Sequence, residues 1–199
     1  MIFSVPTPDA KEIWRLKMAG ERKAAAKSRP DAGIHAARIF LDNIPVRESS
    51  VVALYHPIKD ELDTKPLASE LLERGYLIAL PVVVKKQAPL IFRKFRHGDP
   101  LEEGAYGVPV PTEAAAEVLP DIIVAPLLGF DRAGGRLGYG GGFYDRTLEQ
   151  LRSQKALLAV GYAYGAQEVD AVPLSRQDQR LDWIVSERGA IRTREESAN

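Results

Sequence analysis

Apolar residues run almost unbroken through Val51 to Tyr55, Tyr76 to Val84, Leu90 to Phe95, Ile122 to Leu128, Leu157 to Tyr162 and Trp183 to Ser186. Each run predicts a strand, and Val51 to Tyr55 and Tyr76 to Val84 are the nearly continuous apolar runs expected of a parallel sheet covered on both faces. Between the first two lies Thr64 to Arg74, where Leu67 and Leu71 share a helical face and Gly75 supplies the stop. That is a βαβ unit, whose crossover should be right-handed. Two helices precede it. Thr7-Pro8-Asp9 reads as N-cap, first-turn proline and dipole-matching acid, opening a helix that runs to about Lys27. Asp31 should cap the second helix, which carries Ile34, Ala37 and Leu41 as its apolar stripe and ends near Asn43. The pattern predicts an α/β fold: an open, largely parallel sheet flanked by helices, a three-layer α/β/α sandwich in a single domain. Glu102 to Pro120, with Gly104, Gly107 and three prolines, reads as an irregular surface segment lying over the site. Residues 1–7 and Arg192 to Asn199 are expected to fray.

The next stretch, Gly129 to Arg146, breaks the pattern. Its sequence GFDRAGGRLGYGGGFYDR follows a strand and holds seven of the 16 glycines. Glycine tolerates positive φ and lacks a Cβ, so Gly138, Gly140, Gly141 and Gly142 can turn successive N–H groups inward around an anion. Phe143 then begins a helical pattern, with Tyr144, Leu148 and Leu151 at i, i+4 and i+7. The glycines therefore stand at a helix N-terminus, where free N–H groups and the dipole favour a polyphosphate. Neither G-x-x-x-x-G-K-[ST] nor G-x-G-x-x-G occurs within this loop, so it is not one of the common phosphate motifs. Asp145, in the first turn, is either a partner for the helix dipole or a ligand for a nucleotide's magnesium.

Charge narrows the class of partner. The 27 basic and 27 acidic side chains cancel, leaving no global field for nucleic acid or an anionic membrane, so small molecules are the expected partners. The longest uncharged apolar stretch, Gly75 to Val84, is about half the ~20 residues of a membrane helix. There is no cysteine, which removes thiol nucleophiles and fits a reducing cytoplasm. The first residues lack the basic and apolar regions of an export signal. Locally the balance differs. Up to Arg29 there are seven basic and three acidic residues, and Lys11, Arg15, Met18 and Arg22 fall within about 60° of one another on the first helix. Ile13, Leu16, Gly20 and Ala24 occupy the opposite side. Alone, the basic stripe is a solvated helix face; beside a glycine-rich anion site, it is equally a phosphate clamp.

The remaining polar residues are less specific. Glu61, just after the first strand, is a candidate ligand contact where ligands bind in open α/β sheets, or else one of three acids in a solvated turn capped by Thr64. His56 shares that strand exit, while His35 and His97 are dispersed from it. Asp178 and Asp182 precede the last strand, and either can offer a second carboxylate to a metal. No G-x-S-x-G elbow is present, so phosphoryl chemistry fits better than acyl transfer.

With these pieces in place the chain resembles the 5-formyltetrahydrofolate cyclo-ligase family over nearly its full length. The resemblance rests on KEIWR at Lys11 to Arg15, DELDT at Asp60 to Thr64, YGVPVP at Tyr106 to Pro111, the glycine loop, and VPLSRQDQRLD at Val172 to Asp182. It implies an ATP- and magnesium-dependent closure of 5-formyltetrahydrofolate to 5,10-methenyltetrahydrofolate, through an iminium phosphate, with release of ADP and phosphate. It also implies site residues. Lys11 and Arg15 resemble phosphate contacts, and Arg136, Leu137, Gly138, Tyr139, Gly140, Gly141, Gly142, Phe143 and Tyr144 resemble the nucleotide loop, with Arg136 and Tyr144 nearest the reaction. Tyr139 to Phe143 also face the folate, with His56, Glu61 and Tyr106, while Asp145 and Asp178 resemble the magnesium carboxylates. Some relatives have a loop like GRGKGYYD; this chain has Tyr139 and Gly141 at the basic positions, so Lys11, Arg15 and Arg136 must carry more of the triphosphate charge. A monomer or weak homodimer in the cytoplasm is expected. A small-molecule kinase and a non-catalytic nucleotide- or folate-binding paralogue are the alternatives.

Overall fold

The computed structural model describes residues 10–193. Thr7-Pro8-Asp9, the proposed start of the first helix, and residues 194–199 lie outside them. Seven strands form one sheet in the order β11-β10-β9-β6-β1-β2-β3. These are β1 (Val51–Ala53), β2 (Leu77–Val82), β3 (Ile91–Phe95), β6 (Ile122–Ala125), β9 (Leu158–Tyr162), β10 (Trp183–Ser186) and β11 (Gly189–Arg192). The inner pairs are parallel, and β3 and β11 close the edges antiparallel to β2 and β10. Arg192, expected to fray, instead pairs with Trp183.

Strand side chains alternate between two cores. Val52, Leu54, Ile78, Leu80, Ile122, Val124, Val160 and Tyr162 face α2 (Ala32–Asn43) and α3 (Lys65–Glu73). Ala53, Ala79, Ile123, Ala125 and Ala159 face Leu148 and Leu151 of α4 (Phe143–Arg152). Continuous apolar runs are required because both faces are covered. The result is the expected three-layer α/β/α sandwich.

Four local expectations need correction. The buried face of α2 is Gly33, Ala36, Ala37 and Phe40, whereas Ile34 points outward, because α2 rests on α3 through its small residues. Asp31 stands at the N-cap but its carboxylate takes the imidazole of His35 at 3.1 Å, so it makes no side-chain cap. Thr64 likewise donates its hydroxyl to the carbonyl of Tyr55 at 2.8 Å, tying α3 to the end of β1. The segment after Glu102 is not irregular throughout: β4 (Leu101–Glu103) and β5 (Pro109–Pro111) pair as a hairpin with Tyr106 at its tip. A second hairpin, β7 (Gly129–Phe130) with β8 (Arg136–Leu137), follows β6. Buried Asp131 clasps its turn, accepting N–H groups from Ala133, Gly135 and Val172.

Chain order reverses between β1 and β6, since β2 and β3 extend to one side and β9, β10 and β11 to the other. A crevice opens outside the carboxyl ends of strands at such a switch point. Glu61 and the glycine loop follow those two strands.

Candidate active site

Helix α1 (Ala10–Ser28) crosses this crevice with an inverted polarity. Met18 and Arg22 are buried, while Ile13 and Leu16 are 55% and 74% exposed. The basic stripe is therefore not a solvated face. Met18 packs with Leu128, Leu137 and Val172, a small core that seats α1 on the glycine hairpin. Leu137 belongs to that core, so its side chain is not available to a ligand.

The other stripe residues reach separate parts of the site. Lys11 Nζ donates to Asp178 Oδ2 at 2.8 Å. Arg15 Nε donates to the carbonyl of Gly138 at 3.1 Å. Arg22 Nη1 lies 3.6 Å from Glu61 Oε1, and its guanidinium stands 5.4 Å from the centre of the Tyr139 ring. One helix thus joins the loop of Asp178, the glycine loop and the exit of β1.

The loop itself has the left-handed backbone its glycines permit, at Gly140 (φ +98°) and Gly142 (φ +67°), but not at Gly138 or Gly141. A Cβ on Gly140 would stand 3.2 Å from Arg15 Nη2. Gly142 is the N-cap of α4 and no side chain caps it, which leaves first-turn N–H groups for an anion. Arg146 adds a cation: it donates to the carbonyl of Gly141 at 2.7 Å and lies 5.4 Å from the centre of the Phe143 ring.

Arg136 is buried on β8, with Nη2 donating to Asp145 Oδ1 at 2.8 Å and its guanidinium 5.5 Å from the centre of the Tyr144 ring. Its Nη1 is buried without a hydrogen-bond partner among the described residues. Burial, then the neighbouring Glu61 charge, push the Tyr144 phenol well above its ordinary pKa, so it stays a hydrogen-bond donor. Asp145 Oδ1 also accepts the backbone N–H of Gln179 at 3.0 Å. Asp178 is the neighbouring residue, so the two carboxylates assigned to magnesium approach from α4 and from the loop before β10. Burial works against the Asp178 carboxylate, but Lys11 and Ser175 outweigh it and hold its pKa below the usual range. Magnesium takes one or two carboxylates with phosphate oxygens, so this donor set fits it. Among the described residues there is no cluster of three or more His, Cys, Asp or Glu able to hold a metal by itself. Asp182 is elsewhere: it accepts from Arg152 and from the N–H of Ala159, clamping the C-terminal end of α4 to β9.

At the exit of β1, Glu61 is buried rather than set in a solvated turn. Its Oε2 accepts the N–H of Ile58 at 3.0 Å. Burial raises its pKa, opposed by that N–H, by Arg22 and by Tyr139. His56 stands partly buried beyond β1, and burial with the nearby Lys65 lowers its pKa. Tyr106 is 73% exposed with φ +61°, and its ring meets Phe143 edge-on at 6.3 Å between centroids. The structure thus brings α1, the glycine loop, the Asp178 loop and Glu61 together and sets Tyr106 against Phe143, while Asp182 lies apart. It adds Arg22 as a site residue, legible only as the fourth member of the stripe, and Arg146, which had no separate signal.

An open sheet with a glycine-lined helix N-terminus at its switch point, ringed by arginines, defines an α/β protein with a candidate anion site at its strand ends. Residues 8–187 match the profile of the 5-formyltetrahydrofolate cyclo-ligase family. The chain is 35% identical over 146 residues to a 5-formyltetrahydrofolate cyclo-ligase of Haemophilus influenzae, covering 71% of this chain and 78% of the other. It is 33% identical over 170 residues to that of Escherichia coli K12, covering 83% and 93%. A solved 5,10-methenyltetrahydrofolate synthetase of Aquifex aeolicus superposes with a TM-score of 0.80 at 28% identity, over 96% of each chain. The chain belongs to the 5-formyltetrahydrofolate cyclo-ligase family and is an enzyme of it.

Proposed function

We propose that this enzyme binds magnesium-ATP and 5-formyltetrahydrofolate in the crevice outside β1 and β6, and closes the folate to 5,10-methenyltetrahydrofolate with release of ADP and phosphate. The observation that carries the reading is the convergence on α1 of the glycine loop, the Asp178 loop and Glu61. Two ligands must meet for the reaction, and two adjacent strand exits meet here.

A formyl oxygen is a poor leaving group, and transfer of the γ-phosphoryl group to it creates an iminium phosphate whose carbon N10 can attack. Phosphate then leaves with the original formyl oxygen. Such chemistry asks a protein for positioning and for neutralisation of spread negative charge. Lys11, Arg15 and the N–H groups from Gly138 to Gly142 hold the triphosphate in this reading. Arg136 offers its unpaired Nη1 and Tyr144 its protonated hydroxyl to the transferring group. Asp145 and Asp178 would hold magnesium, whose charge screens the phosphate oxygens when it is bound. Glu61 accepts pterin N–H groups, with His56, Phe143 and Tyr106 flanking the ring. The absence of cysteine fits a cytoplasmic enzyme.

The test is the absorbance of the methenyl product with purified protein, magnesium-ATP and 5-formyltetrahydrofolate. A kinase would form ADP without the chromophore, and a non-catalytic paralogue would form neither.

A further inference from the structure

Three of the contacts made by α1 reach the Asp178 loop, the backbone of the glycine loop and the small core beneath it; the fourth, through Arg22, reaches Glu61 and the ring of Tyr139. Arg22 is 3% exposed, yet its Nε and Nη1 have no hydrogen-bond partner among the described residues. Buried structural arginines normally satisfy their donors, because leaving them open is costly. What Arg22 has instead is two neighbours across the site. Glu61, 8% exposed, stands at ion-pair rather than hydrogen-bond distance, 3.6 Å, and the Tyr139 ring of the glycine loop lies over the guanidinium.

We infer that Arg22 is a positioning residue: it holds the Glu61 carboxylate ionised and turned into the crevice, and through Tyr139 it fixes the glycine loop against the folate side. This rests on the reading of Glu61 as the pterin acceptor. The groups facing Glu61 are Arg22 from α1, Tyr139 from the glycine loop, Tyr144 from α4, Tyr55 beyond β1 and Lys59 on its own loop. Of the two cations, Lys59 is exposed to solvent and Arg22 is buried, so Arg22 is the less screened partner. Burial already favours the protonated carboxyl, which presents an O–H donor where the carboxylate has its second acceptor oxygen. Without Arg22, protonation of Glu61 moves to higher pH and the acceptor is lost sooner as pH falls.

The experiment compares the full-length enzyme with Arg22→Gln, Arg22→Lys, Glu61→Gln and Arg22→Gln/Glu61→Gln. Arg22→Gln should raise the KM for 5-formyltetrahydrofolate about tenfold, the scale of one lost charge-assisted pair, and shift the acid limb of kcat/KM to higher pH. The KM for ATP should stay within about twofold, a change under 0.5 kcal/mol. Arg22→Lys keeps the charge but not the planar fork, so the acid limb should stay while the folate KM rises less. With Glu61→Gln already present, Arg22→Gln should add little, because the two act as one unit. Equal losses from Arg22→Gln in both backgrounds, or an unmoved acid limb, would overturn the inference while leaving the Glu61 reading intact. A Glu61→Gln enzyme with unchanged folate KM would overturn that reading, and the inference with it. Should Arg22→Gln melt too early to assay, Arg22→Lys decides: a folate KM equal to that of the unsubstituted enzyme overturns the proposal.

Discussion

Arg136 Nη2 donates to Asp145 Oδ1 at 2.8 Å, and the same oxygen accepts the N–H of Gln179 at 3.0 Å. A cation assigned to the transferring phosphoryl group and a carboxylate assigned to magnesium therefore hold each other, and both are tied to the segment bearing Asp178. Asp145→Asn keeps an acceptor for Gln179 but removes the charge. We expect the fold to survive, with a melting temperature lowered by only a few degrees, and the magnesium concentration for half-maximal turnover to rise at least tenfold. A magnesium titration of initial rates checks this; an unchanged midpoint would remove Asp145 from the metal site.

The inverted polarity of α1 predicts a contrast between neighbours. Arg15 contacts Gly138 and stands beside Gly140, while Lys17 is exposed on the outer side. Arg15→Ala should raise the KM for ATP about tenfold, and Lys17→Ala should leave it unchanged. Equal effects in steady-state kinetics would mean that α1 contributes only a general positive potential.

Tyr106 carries a left-handed backbone, φ +61°, which costs a non-glycine residue of order 1 kcal/mol. Tyr106→Gly relieves that strain and removes the ring that meets Phe143. The expected result is a melting temperature equal to or above that of the unsubstituted protein, with a several-fold higher KM for the folate. An unchanged folate KM would mean that the hairpin tip does not reach the substrate.

Stability should depend on pH through Asp121, which joins the start of β6 to β1 and to Lys155 in the loop between α4 and β9. Burial disfavours its charge, but Lys155 at 2.6 Å and the N–H of Val51 at 2.8 Å outweigh this and hold its pKa below the ordinary value of 3.8. A carboxyl lowered on folding contributes stability that is present above its unfolded pKa and lost as pH falls through the folded one. Asp121→Asn should therefore cost roughly 0.5–1 kcal/mol at neutral pH, allowing for solvent screening, and a smaller amount near pH 3. Urea unfolding at both values measures the difference; a constant deficit would show that the charge plays no part.

Six of the sheet's seven strands were legible because the inner ones are buried on both faces, and no amphipathic register has to be guessed for an unbroken apolar run such as Ile122 to Leu128; the edge strand β11, Gly189–Arg192, is partly exposed and gave no such run. The hairpins at 101–111 and 129–137 were not, since strands of two or three residues among glycine and proline leave no period to detect. Periodicity also located the stripe on α1 correctly, but it assigns angles, not directions. It could not say that Ile13 and Leu16 would point outward and Arg22 inward. Glu61 read as part of a solvated turn because the partner that accompanies its burial, Arg22, stands 39 positions earlier. Its site role, like that of Tyr106, came from resemblance.

In the proposed reaction one crevice brings the γ-phosphoryl group of ATP to the formyl oxygen of the folate. Substrate carrying ¹⁸O in its formyl group tests it most directly. During a single turnover with magnesium-ATP, the label should leave in inorganic phosphate, one atom per methenyl product formed, as read by mass spectrometry. Methenyl product accompanied by unlabelled phosphate, with the ¹⁸O in water, would contradict it.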